Sequence, residues 1–225
     1  MGILSQVPSA SQAEESFAQN RVTLKKGDRI VFLGDSLTYL AGKELPKEHV
    51  TKGFVRIVRE ALKERHPEKQ IEVDWVSTGG GIVQTLLKLV NEKVMAKKPT
   101  IVVIQIGCND ARWISEREFE NGLEELVDRL KTAGIQVVQC TLTAVGEKHD
   151  GSNPDDKNLE IFAATARKVA TAKKVPLIDL RKAFLAHWKE HNPKNEPTGI
   201  LTYDGNHFND AGHRLVAEQM LMKFK

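Results

Sequence analysis

With 225 residues, 40% of them hydrophobic and 28% charged, the chain has enough apolar material for one sizeable core and the composition of an ordinary globular protein. Lysine and arginine (33) exceed aspartate and glutamate (30) by only three, and they are scattered rather than run together, which argues against a nucleic-acid or membrane-surface binder. Two cysteines, Cys108 and Cys140, make neither a disulfide framework nor a C-x-x-C metal pair, and no apolar run approaches the roughly eighteen residues of a membrane span.

Residues 1–27 are polar and mixed, without sustained periodicity, and are expected to form a tail or a strap across the surface ahead of one domain at 28–225. The N-terminus of the given chain lacks the apolar core of a signal peptide, so the compartment stays open, a secreted or periplasmic home included if a leader has been removed. The first apolar run ends at Gly34 and reads as a buried strand that hands over to Asp35 and Ser36. Residues 38–52, with Gly42 and Pro46, read as a polar loop, after which Phe54, Ile57, Val58, Ala61 and Leu62 recur at helical spacing. Residues 71–76 alternate apolar and acidic side chains, end in Ser77-Thr78-Gly79-Gly80-Gly81, and are followed by Val83, Leu86, Leu87, Val90 and Val94 on one helical face. That is a second strand, a glycine turn and a second helix.

Residues 100–106 are nearly all β-branched, as a central parallel strand covered on both faces demands, and they stop at Gly107-Cys108-Asn109-Asp110. Ser115 and Glu118 have capping-box spacing before a helix carrying Phe119, Leu123, Leu126, Val127 and Leu130, which Gly134 closes. A fourth strand is expected at 135–142, a polar loop at 146–156, a helix with Leu159, Phe162, Ala163, Ala166, Val169 and Ala170, and a fifth strand at 175–180. Residues 181–191 read as helical, 193–197 as a break, and a last helix starts at about Asp210. Five strand–helix alternations without a repeat or a low-complexity linker predict an α/β fold: a three-layer α/β/α sandwich, flavodoxin-like, around a five-stranded parallel sheet.

In such a sheet, ligands bind outside the carboxyl ends of the strands, where Ser36, the Gly79–Gly81 turn and Asn109 are expected to meet. A serine hydroxyl needs a base within hydrogen-bond reach and a group that orients the base. The three-residue spacing of Asp204 and His207 suits both tasks, with one imidazole nitrogen on the carboxylate and the other facing Ser36. Donors for a developing oxyanion are available from the Ser36 N–H, a glycine N–H of the second turn and the Asn109 amide. Asp35 reads as a structural hydrogen-bonding residue, Cys108 as a small buried hydrophobe. Glu147, His149, Asp150, Asp155 and Asp156 lack a metal spacing and read as a solvated loop that forms a candidate wall of the pocket. His213 is expected as a solvated residue on the first turn of the last helix, and Tyr39 and Trp113 either line the pocket or pack as ordinary aromatics.

G-D-S-L at 34–37, the glycine block at 79–81, G-C-N-D at 107–110 and D-G-N-H at 204–207 together resemble the four ordered blocks of the SGNH, or GDSL-type, serine hydrolases (esterases and lipases), over the chain from about Asp28 to its end. The resemblance implies a carboxylic ester hydrolase that works through an acyl-enzyme. Ser36 would be the nucleophile, His207 the base and Asp204 its orienter, with oxyanion donors from Ser36, a second-block glycine and Asn109, and with no metal and no cofactor. Ser77 stands where that family commonly has asparagine, and the block is shortened. Gly81 is the donor glycine if one residue is missing between Gly79 and Gly80; Gly80 is the alternative. Because the similar family includes many carbohydrate acetylesterases, the implied substrate is a small-molecule ester with a short acyl group, acetyl above all, carbohydrate-linked among others. A lysophospholipase or thioesterase for longer chains, and a non-catalytic glycan- or partner-binding module, are the alternative readings. Nucleic acid and integral membrane association are not expected, and no residue pattern speaks for a particular oligomeric state.

Overall fold

A computed structural model describes residues 21–43 and 49–225; residues 1–20 of the expected tail and 44–48 of the expected first loop lie outside the described residues. Five parallel strands, β1 (Arg29–Gly34), β2 (Glu72–Ser77), β3 (Ile101–Gln105), β4 (Gln136–Cys140) and β5 (Leu177–Ile178), form one sheet in the order β2-β1-β3-β4-β5. All five residues of β3 are buried, which is why that strand reads as an unbroken β-branched run. The order reverses between β1 and β3, the crevice position of a doubly wound sheet. Gly34 is in register with Ser77 on one side and Gln105 on the other, so β1, β2 and β3 release their following residues at one height.

Helices cover both faces. Ile30 and Phe32 of β1 point to one face, where α1 (Ser36–Gly42), α2 (Phe54–Arg65), α7 (Leu180–His191) and α8 (Asp210–Leu221) bury Leu37, Val58, Phe184 and Val216. Val31 and Leu33 point to the other, against α3 (Val83–Leu89), α5 (Glu116–Thr132) and α6 (Asp156–Lys173), which bury Leu86, Phe119 and Phe162. The capping box of α5 is present in full: Ser115 Oγ accepts from the Glu118 N–H, and Glu118 Oε2 accepts from the Ser115 N–H at 2.9 Å. No helix among the described residues is long and apolar enough to cross a membrane.

Four details depart from the sequence-based expectations. The expected loop at 38–52 begins with α1, which is only two turns long and ends in Gly42, too short for its Leu37/Ala41 spacing to register as a periodicity. Asp35 starts it as N-cap, accepting the Leu37 N–H at 2.9 Å. A Cβ on Gly34 would lie 2.2 Å from Thr38 Oγ1 and 2.6 Å from the Gln105 carbonyl, so α1 folds back over the strand end only because glycine is there. A one-turn helix, α4 (Asp110–Trp113), follows the third block. The expected fifth strand keeps only two paired residues, and the packed body starts before Asp28: Val22 and Leu24 are buried, with the Val22 N–H bonded to the Lys223 carbonyl at 2.8 Å and the Leu24 N–H to the Lys225 carbonyl at 2.9 Å.

Candidate active site

Ser36 is the first residue of α1, half-buried at the rim, with its hydroxyl carried by the rigid end of β1. Its partner arrives from the segment before α8, folded as a small antiparallel loop by the Thr202–Phe208 bridge and the Tyr203 N–H bond to the His207 carbonyl at 3.0 Å. Gly205 (φ +86°) supplies the left-handed backbone at its tip. Inside the loop Asp204 Oδ1 accepts the N–H groups of Asn206 (2.9 Å) and His207 (2.7 Å), while Oδ2 faces His207 Nδ1 at 2.7 Å. A carboxylate there puts the ring proton on Nδ1, so the lone pair of Nε2 faces the Ser36 hydroxyl, 3.1 Å away. Burial pushes the Asp204 carboxyl upward, but the His207 side chain and the two backbone N–H groups outweigh it and hold the group below its ordinary value, so the orienting charge stays in place. The Tyr203 ring lies nearly parallel to the His207 imidazole (18°, centroids 5.9 Å apart) and to the His49 ring (21°, 4.5 Å).

The second and third blocks are joined twice. Asn109 Nδ2 donates to the Gly81 carbonyl at 3.0 Å, and Asp110 Oδ1 accepts the Val83 N–H at 2.8 Å, tying the end of β3 to the start of α3. Gly81 is buried beside Asn109; Gly80 sits at the exposed tip of the turn with φ +65°. Behind them lie two buried acids. Burial raises Asp35 to about 7, with the charge of Asp110 adding to the rise, and burial raises Asp110 to about 6 against the hydrogen bond from Val83. Cys108 is buried as expected, its thiol pushed up to about 11, and is no thiolate nucleophile.

Two expectations fail. Residues 147–156 are no solvated loop as a whole: Glu147 is fully buried and accepts the N–H groups of Ile200 (2.6 Å), Leu201 (2.7 Å) and Thr202 (2.6 Å) and the Thr202 hydroxyl (2.8 Å). It anchors the stretch that leads into the Asp204–His207 loop. Its partners lie more than fifty residues downstream, beyond the reach of any local pattern. Asp155 pairs with Arg112 and Asp156 with Arg181, and among the described residues no group of three or more His, Cys, Asp or Glu is placed to hold a metal ion. His213 is buried, not solvated: its Nδ1 accepts the Phe54 N–H at 3.2 Å, between the rings of Phe54 and Phe208, and burial pulls it down to about 4. Tyr39 and Trp113 are 43% and 73% exposed, and Tyr39 lies under the Lys43 ammonium.

Residues 32–215 match the GDSL-like lipase/acylhydrolase family. An acetylxylan esterase of Geobacillus stearothermophilus is 26% identical over 211 residues, covering 87% of this chain and 93% of that protein. Among solved structures, the acetyl xylan esterase AlAXEase is 33% identical with a TM-score of 0.79, covering 86% of this chain and 98% of that chain. An α/β hydrolase from the metagenome of Lake Arreo, Spain, shares the fold at 23% identity and a TM-score of 0.73, covering 88% and 95% of the two chains.

Proposed function

This chain belongs to the GDSL-like lipase/acylhydrolase family, and from that premise we propose that it is a serine esterase in which Ser36 is the nucleophile, His207 the base and Asp204 its orienter, acting on acetyl esters of carbohydrates. The observation that carries the reading is the unbroken row from Ser36 Oγ through His207 Nε2 and Nδ1 to Asp204 Oδ2, at 3.1 and 2.7 Å. The two relatives at 26% and 33% identity, both acetylxylan esterases, support acetyl as the acyl group and a sugar as the alcohol.

Ser36 Oγ attacks the ester carbonyl while Nε2 takes its proton, and Asp204 stabilises the imidazolium that results. The oxyanion forms opposite the Ser36 N–H, which as the first of a helix has no partner within that helix, and the second amide hydrogen of Asn109, whose first is on the Gly81 carbonyl. Gly81 is the better third donor than Gly80, being buried against Asn109 rather than at the turn's open tip. His207 then gives the proton to the sugar oxygen as its bond to the carbonyl carbon breaks, releasing the sugar hydroxyl and leaving acetyl-Ser36, and a water activated by the same imidazole releases acetate and restores the serine.

Hydrolysis of p-nitrophenyl acetate, butyrate and octanoate tests this. The acetate ester should be preferred, and Ser36→Ala and His207→Ala should each lower kcat by about four orders of magnitude or more. Full activity in Ser36→Ala would remove the nucleophile assignment, and a preference for octanoate would replace the acetyl reading with a long-chain one.

A further inference from the structure

We propose that Trp113 is a stacking platform for a sugar ring of the substrate, an inference that rests on the carbohydrate ester reading above. Of the chain's three tryptophans, Trp188 is buried and Trp75 packs against the first core, whereas Trp113 is 73% exposed. Among the described residues its indole has no hydrogen-bond, ring or cation partner, while Tyr39, the other exposed aromatic, has one face under the Lys43 ammonium at 4.1 Å. Trp113 stands one helical turn past Asn109, to whose carbonyl its N–H donates at 3.0 Å. Residues four apart share a helix face, so the indole rises on the side of the turn that carries the Asn109 amide. β3 and β1 are parallel neighbours in register, so the segments after them, which carry Asn109 and Ser36, leave the sheet side by side.

The backbone beneath the indole is fastened from three directions. Asp110 holds the Val83 N–H at 2.8 Å, Arg112 Nε and Nη2 hold Asp155 at 3.1 and 2.8 Å, and the Asn158 amide donates to the Ala111 carbonyl. A fastened backbone under an indole left in solvent suits a ligand contact, because only the side chain's own rotation remains to be ordered on binding. The ligand must offer a flat apolar face and lie beside the ester being cleaved. A pyranose ring does both: its axial C–H groups present such a face, and its acetylated hydroxyl reaches Ser36. Contacts of this kind, remote from the reacting carbonyl, discriminate between alcohols rather than between acyl groups.

The test compares kcat and KM of the intact chain, Trp113→Ala and Trp113→Phe on acetylated xylo-oligosaccharide and on p-nitrophenyl acetate, with a fluorescence titration of Ser36→Ala and Ser36→Ala/Trp113→Phe by unacetylated xylohexaose. Trp113→Ala should lower the ratio of kcat/KM for the oligosaccharide over that for p-nitrophenyl acetate about tenfold, chiefly through KM, and Trp113→Phe should recover most of it. Xylohexaose should quench the Ser36→Ala protein and leave the double variant unchanged. An unaltered ratio, or equal quenching of both proteins, overturns the platform, as does an exposed indole that proves by sedimentation to be covered by a second copy of the chain. Failure of the esterase reading looks different: no turnover of either ester, with the quenching still dependent on Trp113.

Discussion

Asp35 adjoins Ser36, the proposed nucleophile, yet performs its visible work on the backbone, capping α1 through the Leu37 N–H. Buried and close to Asp110, it is raised from the ordinary 3.8 to about 7. The sign follows from where the proton is held. Between about pH 4 and pH 7 the folded chain keeps a proton that the unfolded chain has lost, so stability is fully present below that window and falls as pH rises through it. Asparagine caps as well as aspartate and carries no charge. Asp35→Asn should therefore weaken the drop in urea midpoint between pH 5 and pH 8, with wild type losing up to about 3 kcal/mol more than Asp35→Asn over that span. Parallel pH profiles for the two proteins would refute the assignment. The contact between Asp204 and His207 was legible at this scale because it depends on residue type and on a three-residue spacing. The buried states of Glu147 and His213 were not, since neither residue's neighbours in the chain are its partners in space.

At the scale of elements, the loop that carries Asp204 and His207 has little apolar surface of its own and depends on Glu147 to hold the stretch before it. Removing that carboxylate leaves three N–H groups and a hydroxyl without their acceptor, whereas glutamine keeps one carbonyl oxygen for them. Glu147→Ala should cost about 3–5 kcal/mol in urea unfolding and lower kcat with it, and Glu147→Gln should fall between that protein and wild type. A Glu147→Ala protein within about 1 kcal/mol of wild type would show the anchor to be dispensable. Helices with long amphipathic patterns, such as α5 and α6, were readable from their spacing, and the capping box placed the start of α5 correctly. α1 and α4 were not, because their seven and four residues are specified by an N-cap and by contacts from the strands and α6 rather than by a repeat.

Across the whole molecule, one sheet carries two cores, with Phe184 among the residues buried on one face and Phe119 on the other. Residues alternating along β1 belong to opposite cores, so loosening one face disturbs the strands that support the other. We expect Phe184→Ala and Phe119→Ala each to cost about 3–5 kcal/mol, with each protein still unfolding in a single transition by both calorimetry and circular dichroism. Two separated transitions would mean that the faces are independent units. The order of the strands and long helices, and the apolar face of each long helix, follow from residue type and short-range periodicity, so the linear chain is enough to establish them. Packing in three dimensions was needed to establish that β1 lies between β2 and β3, that Gly81 rather than Gly80 is buried against Asn109, that Glu147 and His213 are interior anchors, and that Trp113 stays in solvent. Those outcomes rest on contacts between residues dozens of positions apart, and a local pattern carries no record of which distant partner will reach it.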